Sequence, residues 1–169
     1  CDIRDEEQVC AMVDAVLATH GRIDGLVNNA GGQFPSPLRD ISLKGWDAVV
    51  RTNLTGGFLV ARECYRRWME KHGGAIVNMS ADMWGGMPGM AHSGAARAGM
   101  VNFTESAACE WAASGVRVNA VCPAFIETPL LAGLDEQTHK GLVALHPIGR
   151  LGTSEEVATT GAREVIETT

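Results

Sequence analysis

Three short apolar runs, Ile23 to Val27, Ala75 to Met79 and Val116 to Val121, are each separated from the next by a long stretch of helical character. This alternation constrains the fold more than any other feature of the chain. Strands joined through helices run parallel, and the helices cover both faces of the sheet. The runs are almost continuously apolar, as strands buried on both sides are. A doubly wound parallel α/β sheet is therefore expected.

The helices follow from local signals. Asp5 is expected to cap the first, with Glu6 and Glu7 in its first turn, where negative charge suits the dipole. Val9, Met12, Val13, Val16 and Leu17 recur at helical spacing, and Gly21 is the stop. Cys1 to Ile3 read as the last residues of another strand. Ser42 caps a long helix expected to reach about Lys71, with Gly73-Gly74 as its stop. A second long helix is expected from about Ser93 to Ala113, and weaker helical signals occupy 135–145 and 154–166. No linker, internal repeat or low-complexity tract divides the chain, so 1–169 is read as one domain with an atypical tail over 160–169.

A net charge of −6 argues against nucleic-acid binding, which needs clustered Lys and Arg on phosphates. No apolar run reaches the roughly 18 residues that span a bilayer. The cysteines Cys1, Cys10, Cys64, Cys109 and Cys122 are scattered without a C-x-x-C, so neither a disulfide framework nor a metal site is expected. A reduced, cytoplasmic protein is the simplest expectation. The ending Glu167-Thr168-Thr169 is not a peroxisomal Ser-Lys-Leu signal.

Polar residues cluster where the strands end. Asn28-Asn29-Ala30-Gly31 follows the first strand, and in open α/β sheets ligands bind outside the carboxyl ends of strands. These amides can tie strands together or contact a ribose; alternatively they form a plain polar turn. Asn53 lies inside a helix, where its amide competes with the backbone, unless it is simply a surface residue. Ser80 ends the middle strand and Asp82 opens the loop after it, as turn residues also do. Ser93 and Arg97 are four apart and share a helix face; a capping serine and a solvated arginine are the plain alternative. Pro123-Ala124-Phe125-Ile126-Glu127-Thr128 follows the third strand. Its backbone can cradle an amide-bearing ring and Thr128 can contact a phosphate, or it is a Pro-bounded loop. Order and spacing bring all of these to one rim of the sheet.

This order resembles the short-chain dehydrogenase/reductase family. Asn28–Gly31 is similar to its N-N-A-G motif and Asn53 to its helix asparagine, and Ser80 or Ala81 falls where its catalytic serine lies. Ser93 and Arg97 stand in its Y-x-x-x-K slots, and Pro123 to Thr128 in its P-G-x-x-x-T segment. Asp2-Ile3 resembles the pair that contacts adenine. Within the family, Leu26 to Phe34, Ser42 to Trp46, Thr52 to Phe58, His92 to Gly99 and Glu110-Trp111-Ala112 resemble the peroxisomal trans-2-enoyl-CoA reductases, and the 2,4-dienoyl-CoA reductases also carry a serine where Ser93 stands.

The resemblance implies an incomplete Rossmann-like sheet, lacking the first βαβ unit and the last strand, with a bare apolar edge along Ile23 to Val27. It implies an NADP cofactor, with NAD left open, and an acyl-CoA or similar small-molecule substrate. A homo-oligomer built through the two long helices is expected for the full-length protein, with Met12, Phe58, Val60, Trp68 and Met69 as core or interface. Asn53, Ser80, Asp82, Ser93 and Arg97 are the catalytic candidates. Asp2, Ile3, Asn28, Asn29, Ala30, Gly31, Arg97, Pro123, Ala124, Ile126 and Thr128 are the cofactor-binding candidates; no metal ligand is expected.

The departures shape the chemistry. Serine and arginine stand in the tyrosine and lysine slots, and Val101 stands where enoyl reductases carry a tyrosine proton donor. Oxidising an alcohol needs a tuned base, and a serine beside a permanent cation is a poor one. Reducing an enoyl thioester needs a stabilised enolate oxygen, which a cation and hydroxyls can supply, with the C2 proton from water or Asp82. Three expectations follow: an enoyl-CoA reductase, an alcohol or ketone dehydrogenase acting on a fatty or terpenoid compound, or a non-catalytic assembly subunit. No G-x-G-x-x-G phosphate turn occurs, so the 169-residue chain alone is expected to bind dinucleotide weakly or not at all.

Overall fold

The computed structural model of the chain describes residues 1–131 and 133–166. Asp5 accepts hydrogen bonds from the Glu7 and Gln8 amides and opens α1 (Glu6–His20), which ends at Gly21 with φ 70°, a left-handed turn that glycine adopts without strain. The expected strand at Cys1 to Ile3 is instead a turn, closed by Asp5 N–H donating to the Asp2 carbonyl at 3.1 Å. Strand β1 covers Gly25–Asn28, so Ile23 lies before the ladder and packs into the core.

Ser42 accepts from the Gly45 amide and opens α2, a continuous helix over residues 43–72. Two of its turns are widened. At Arg51–Thr55 and Tyr65–Met69, Gly56 N–H donates to Arg51 O and Glu70 N–H to Tyr65 O, each five residues back. Strand β2 (Gly74–Met79), helix α3 (Ala91–Trp111) and strand β3 (Val116–Val121) follow. Helix α3 starts two residues before the expected Ser93, which is therefore an interior residue and not a cap. The chain continues through β4 (Ile126–Glu127), α4 (Glu136–Ala144), β5 (Gly152–Thr153) and α5 (Ser154–Ile166). Helix α5 runs through most of the atypical tail; 167–169 lie outside the described residues.

The strands lie in the order β1-β2-β3, all parallel, with Leu26 opposite Ile76 and Ile76 opposite Val118. Strand periodicity sends Ile76, Val116 and Val118 to one face, where they meet Val9 and Val13 of α1, Leu59, Val60 and Met69 of α2 and Ala107 of α3. Met69 and Val60 are core, whereas Phe58 remains 36% exposed. The opposite face carries α5 alone among the described residues. Val27 points to that side and is 54% exposed, because β1 has no partner on its outer edge among the described residues. A second parallel pair, β4 with β5, was not legible in the sequence: two residues per strand are too few to show a period.

Candidate active site

At the carboxyl ends of the three strands, a cleft of about 850 Å³ opens between the sheet and α5. That is ample for a small ligand. Val27 and Asn29 from the end of β1, Met79 and Ser80 from the end of β2, and Pro123, Ile126 and Thr128 beyond β3 form one wall. Arg97 reaches in from α3, and Val157, Ala158 and Gly161 of α5 close the other side.

Arg97 is anchored by the strand it approaches. Its Nη1 donates to the carbonyls of Met79 (3.1 Å) and Ser80 (3.0 Å), and Ser80 Oγ donates back to the Arg97 carbonyl at 3.0 Å. Ser80 is 7% exposed, so its hydroxyl acts first as a tie between β2 and α3. Burial pulls the Arg97 guanidinium below its ordinary pKa; guanidinium nonetheless stays charged in proteins. Its Nε is buried with no hydrogen-bond partner, and among the described residues no carboxylate pairs with it. A partly buried cation without a counter-charge is suited to receive an anionic or polarised oxygen.

Ser93 and Arg97 converge on one atom. Ser93 Oγ donates to Gln33 Oε1 at 3.2 Å, and Arg97 Nη2 donates to the same oxygen at 3.4 Å. Gln33 itself is exposed while Ser93 is fully buried, so a surface carbonyl sits where two donors meet. The sequence marks Gln33 only by its place two residues after the N-N-A-G run.

Asn53 holds the loop from which Gln33 projects. Its Oδ1 accepts from Gly32 N–H (3.2 Å), and its Nδ2 donates to the carbonyls of Gly32 (2.6 Å) and Val49 (2.9 Å). It sits in the widened turn of α2 and is 6% exposed. With both ends of its amide engaged, Asn53 serves as a clamp rather than a group facing substrate. Gly31 fits beneath it only because it lacks a side chain: a Cβ there would lie 2.6 Å from Asn53 Oδ1 and 3.5 Å from Arg97 Nη2.

Several expected cofactor residues stand elsewhere. Asn28 turns to the helical face, where Nδ2 donates to Gly57 O (3.1 Å) and Asn78 Oδ1 (2.8 Å). Asn78 Nδ2 in turn donates to Thr104 Oγ1 at 2.9 Å, completing a buried polar seam between sheet and helices. Strand alternation explains this, since Asn28 and Asn29 point to opposite faces. The Asp2 carboxylate is held by Arg4 at 2.7 Å, and the Ile3 side chain packs over Gly56; neither lines the cleft. Ala30 and Ala124 are also absent from its lining. Asp82 is exposed and tied by its amide to the carbonyl of Pro123, a cleft-wall residue, at 2.9 Å, but does not itself line the cleft. Tyr65, the only tyrosine, bonds Ser114 Oγ at 2.9 Å and stacks on Trp111, near the opposite ends of the strands.

The profile of the family described as enoyl-(acyl carrier protein) reductase matches residues 1–162. The chain belongs to the short-chain dehydrogenase/reductase family. It is 43% identical over 161 residues to cis-4-hydroxycyclohexanecarboxylate dehydrogenase of Sinomonas cyclohexanicum, covering 93% of this chain and 64% of that protein. It is 36% identical over 167 residues to a probable 2,4-dienoyl-CoA reductase of Bacillus subtilis (strain 168), covering 95% and 66%. Among solved structures, citronellol catabolism dehydrogenase (AtuB) of Pseudomonas aeruginosa PAO1 superposes with a TM-score of 0.84 at 54% identity, over 98% of this chain and 64% of that one. ElxO with NADP bound superposes with a TM-score of 0.93 at 29% identity, over 100% and 70%. The chain thus spans about 64% of the length of the first of its curated relatives. The Rossmann-like parallel sheet expected from the sequence is shown by these superpositions.

Proposed function

We propose that this chain is the substrate-facing part of an NADPH-dependent reductase that saturates the C2=C3 double bond of a trans-2-enoyl-CoA. One observation carries the reading: Ser93 Oγ and Arg97 Nη2 aim at a single oxygen. In this reading the Gln33 carbonyl swings out and the thioester carbonyl takes its place. Two donors, one of them charged, then meet the oxygen on which negative charge grows, an arrangement that stabilises an enolate. Asn29 and the loop from Pro123 to Thr128 would hold a nicotinamide, which would supply a hydride for C3. Water from the open cleft returns a proton to C2, since Asp82, although bonded to the wall at Pro123, is not among the lining residues. The missing Cβ at Gly31, the unpartnered Arg97 Nε and the cleft volume support the fit of a ligand here. The NADP-bound ElxO structure supports the choice of cofactor.

A second reading has its own support. The 54% identical structure is a citronellol catabolism dehydrogenase, which favours an alcohol or ketone of terpenoid type. Against it stands that, among the described residues, no phenol contacts the two donors, and the imidazole beside them, His92, accepts from the Ser93 amide at 2.9 Å and not from its hydroxyl, which donates to Gln33. Turnover of crotonyl-CoA with NADPH, measured beside citronellol and simple secondary alcohols with NADP, separates the two. Activity on alcohols alone overturns the first reading. On the first reading, Arg97→Ala lowers kcat/KM for the thioester by about a hundredfold or more. We further propose a homo-oligomer through α2 and α3, whose Phe58, Phe103 and Trp111 rings form a partly exposed chain of edge contacts.

A further inference from the structure

The loop from Pro123 to Thr128 is gripped from behind by two histidines that take no part in the chemistry above. His146 follows α4. Its Nδ1 lies 2.8 Å from the Leu142 carbonyl oxygen, which can only accept, so Nδ1 carries the proton. Its Nε2 lies 3.2 Å from the Phe125 amide nitrogen, which can only donate, so Nε2 presents its lone pair. Together the contacts require a neutral ring with its proton on Nδ1. A second proton, on Nε2, would set one N–H against another.

Phe125 is well placed to transmit the loss. Ile126 beside it and Pro123 line the cleft. Its carbonyl accepts from Gly152 N–H at 3.1 Å, beside the β4–β5 pair, and its ring meets the His146 ring at 6.0 Å. We propose that neutral His146 is a positioning residue for the cofactor-side loop, a latch that opens when the imidazole gains its second proton. The proposal rests on the reading of the cleft as the nicotinamide site.

Most charged groups on the surrounding elements have other partners. On the loop, Glu127 lies 3.0 Å from His139 Nε2. On α4, Lys140 pairs with Glu136 at 2.6 Å, and Asp135 caps the helix through Thr138. Beyond His146, Arg150 pairs with Glu156 of α5 at 2.7 Å, and Glu155 is exposed beside it. The two histidines respond to acid in opposite senses. A protonated His139 is a better partner for the Glu127 carboxylate, whereas a protonated His146 loses Phe125.

The test uses the enzyme that carries this chain. Ring ¹⁵N spectra are expected to show His146 as the Nδ1–H tautomer, with the Phe125 amide resonance titrating together with that ring. The KM for NADPH is expected to rise about fivefold as the ring ¹⁵N shifts report the change of His146 from neutral to protonated, the loss of one hydrogen bond. His146→Gln, whose carbonyl accepts at every pH, flattens that profile, and His146→Phe gives the high KM throughout. An Nε2–H tautomer, a Phe125 amide indifferent to the ring, or a KM that stays level while the ring titrates overturns the proposal. The spectra read the latch even in an enzyme that reduces no enoyl-CoA, so failure of the functional reading is distinguishable from failure of the latch.

Discussion

Asn53 shows how much one buried amide can settle. Three of its hydrogen bonds fix the Gly32 backbone and the widened turn of α2. Asn53→Ala removes all three of these bonds, and a loss of about 2 kcal/mol in unfolding free energy is expected from denaturant titration. Gly31→Ala acts on the same contact by crowding. Its Cβ would stand 2.6 Å from Asn53 Oδ1, so the loop must move and carry Gln33 with it. A fall of about a hundredfold in kcat/KM is expected, with secondary structure by circular dichroism unchanged. Both residues are prominent in the sequence, but their task is not. An asparagine within a helix reads as catalytic or superficial, because the partner that makes it a clamp is 21 positions away. Asn28 ties β1 to β2 through Asn78, as the motif allows, but only the pleat decides which of the two amides takes that task.

At the scale of elements, the starts of helices were the most legible part. Asp5 and Ser42 cap where the sequence places them, because a cap is a local event involving only the next three residues. The start of α5 adds a reciprocal cap: Glu156 N–H donates to Thr153 Oγ1 at 3.1 Å, while Thr153 N–H donates to Glu156 Oε2 at 2.8 Å. Arg150 is the chief cause that draws the Glu156 carboxyl down to about 2. A depressed carboxylate stabilises the folded state above its unfolded value and ceases to do so as pH falls through the folded one. The melting temperature of Glu156→Gln is therefore expected to lie below that of the parent near neutral pH. The gap should close as pH approaches about 2, measured by thermal scans across the acid range. Helix α3 was harder to place, since Met90 gives no capping side chain and no sequence signal marks the true start.

For the whole molecule, alternation of strands and helices was enough to give a parallel sheet and the side on which the polar residues gather. The asymmetry of its two faces was not. Helices α1, α2 and α3 bury one face, whereas α5 alone covers the other among the described residues. Pairings between segments far apart in the chain, such as Ile126 with Gly152, leave no local trace. The cleft gathers groups for one end of a dinucleotide, and the sequence contains no Gly-rich turn for the pyrophosphate. A polypeptide of residues 1–169 is accordingly expected to bind NADPH with a Kd weaker than about 1 mM in a fluorescence titration.

The widened turns of α2 set a rule of phase along that helix. Each residue of an α-helix advances the azimuth by about 100°, and a turn closed five residues back holds one residue beyond the ordinary count. The segments on either side of Arg51–Thr55 are thus offset in rotation, and this offset lets Leu59 and Val60 face the core while Asn53 faces the loop. Removing a single residue there would let the turn relax to ordinary winding and swing everything before it round the axis, capping serine included. The tally of amino acids between Ser42 and Gly73 is therefore as much a part of the candidate site's geometry as any side chain in it.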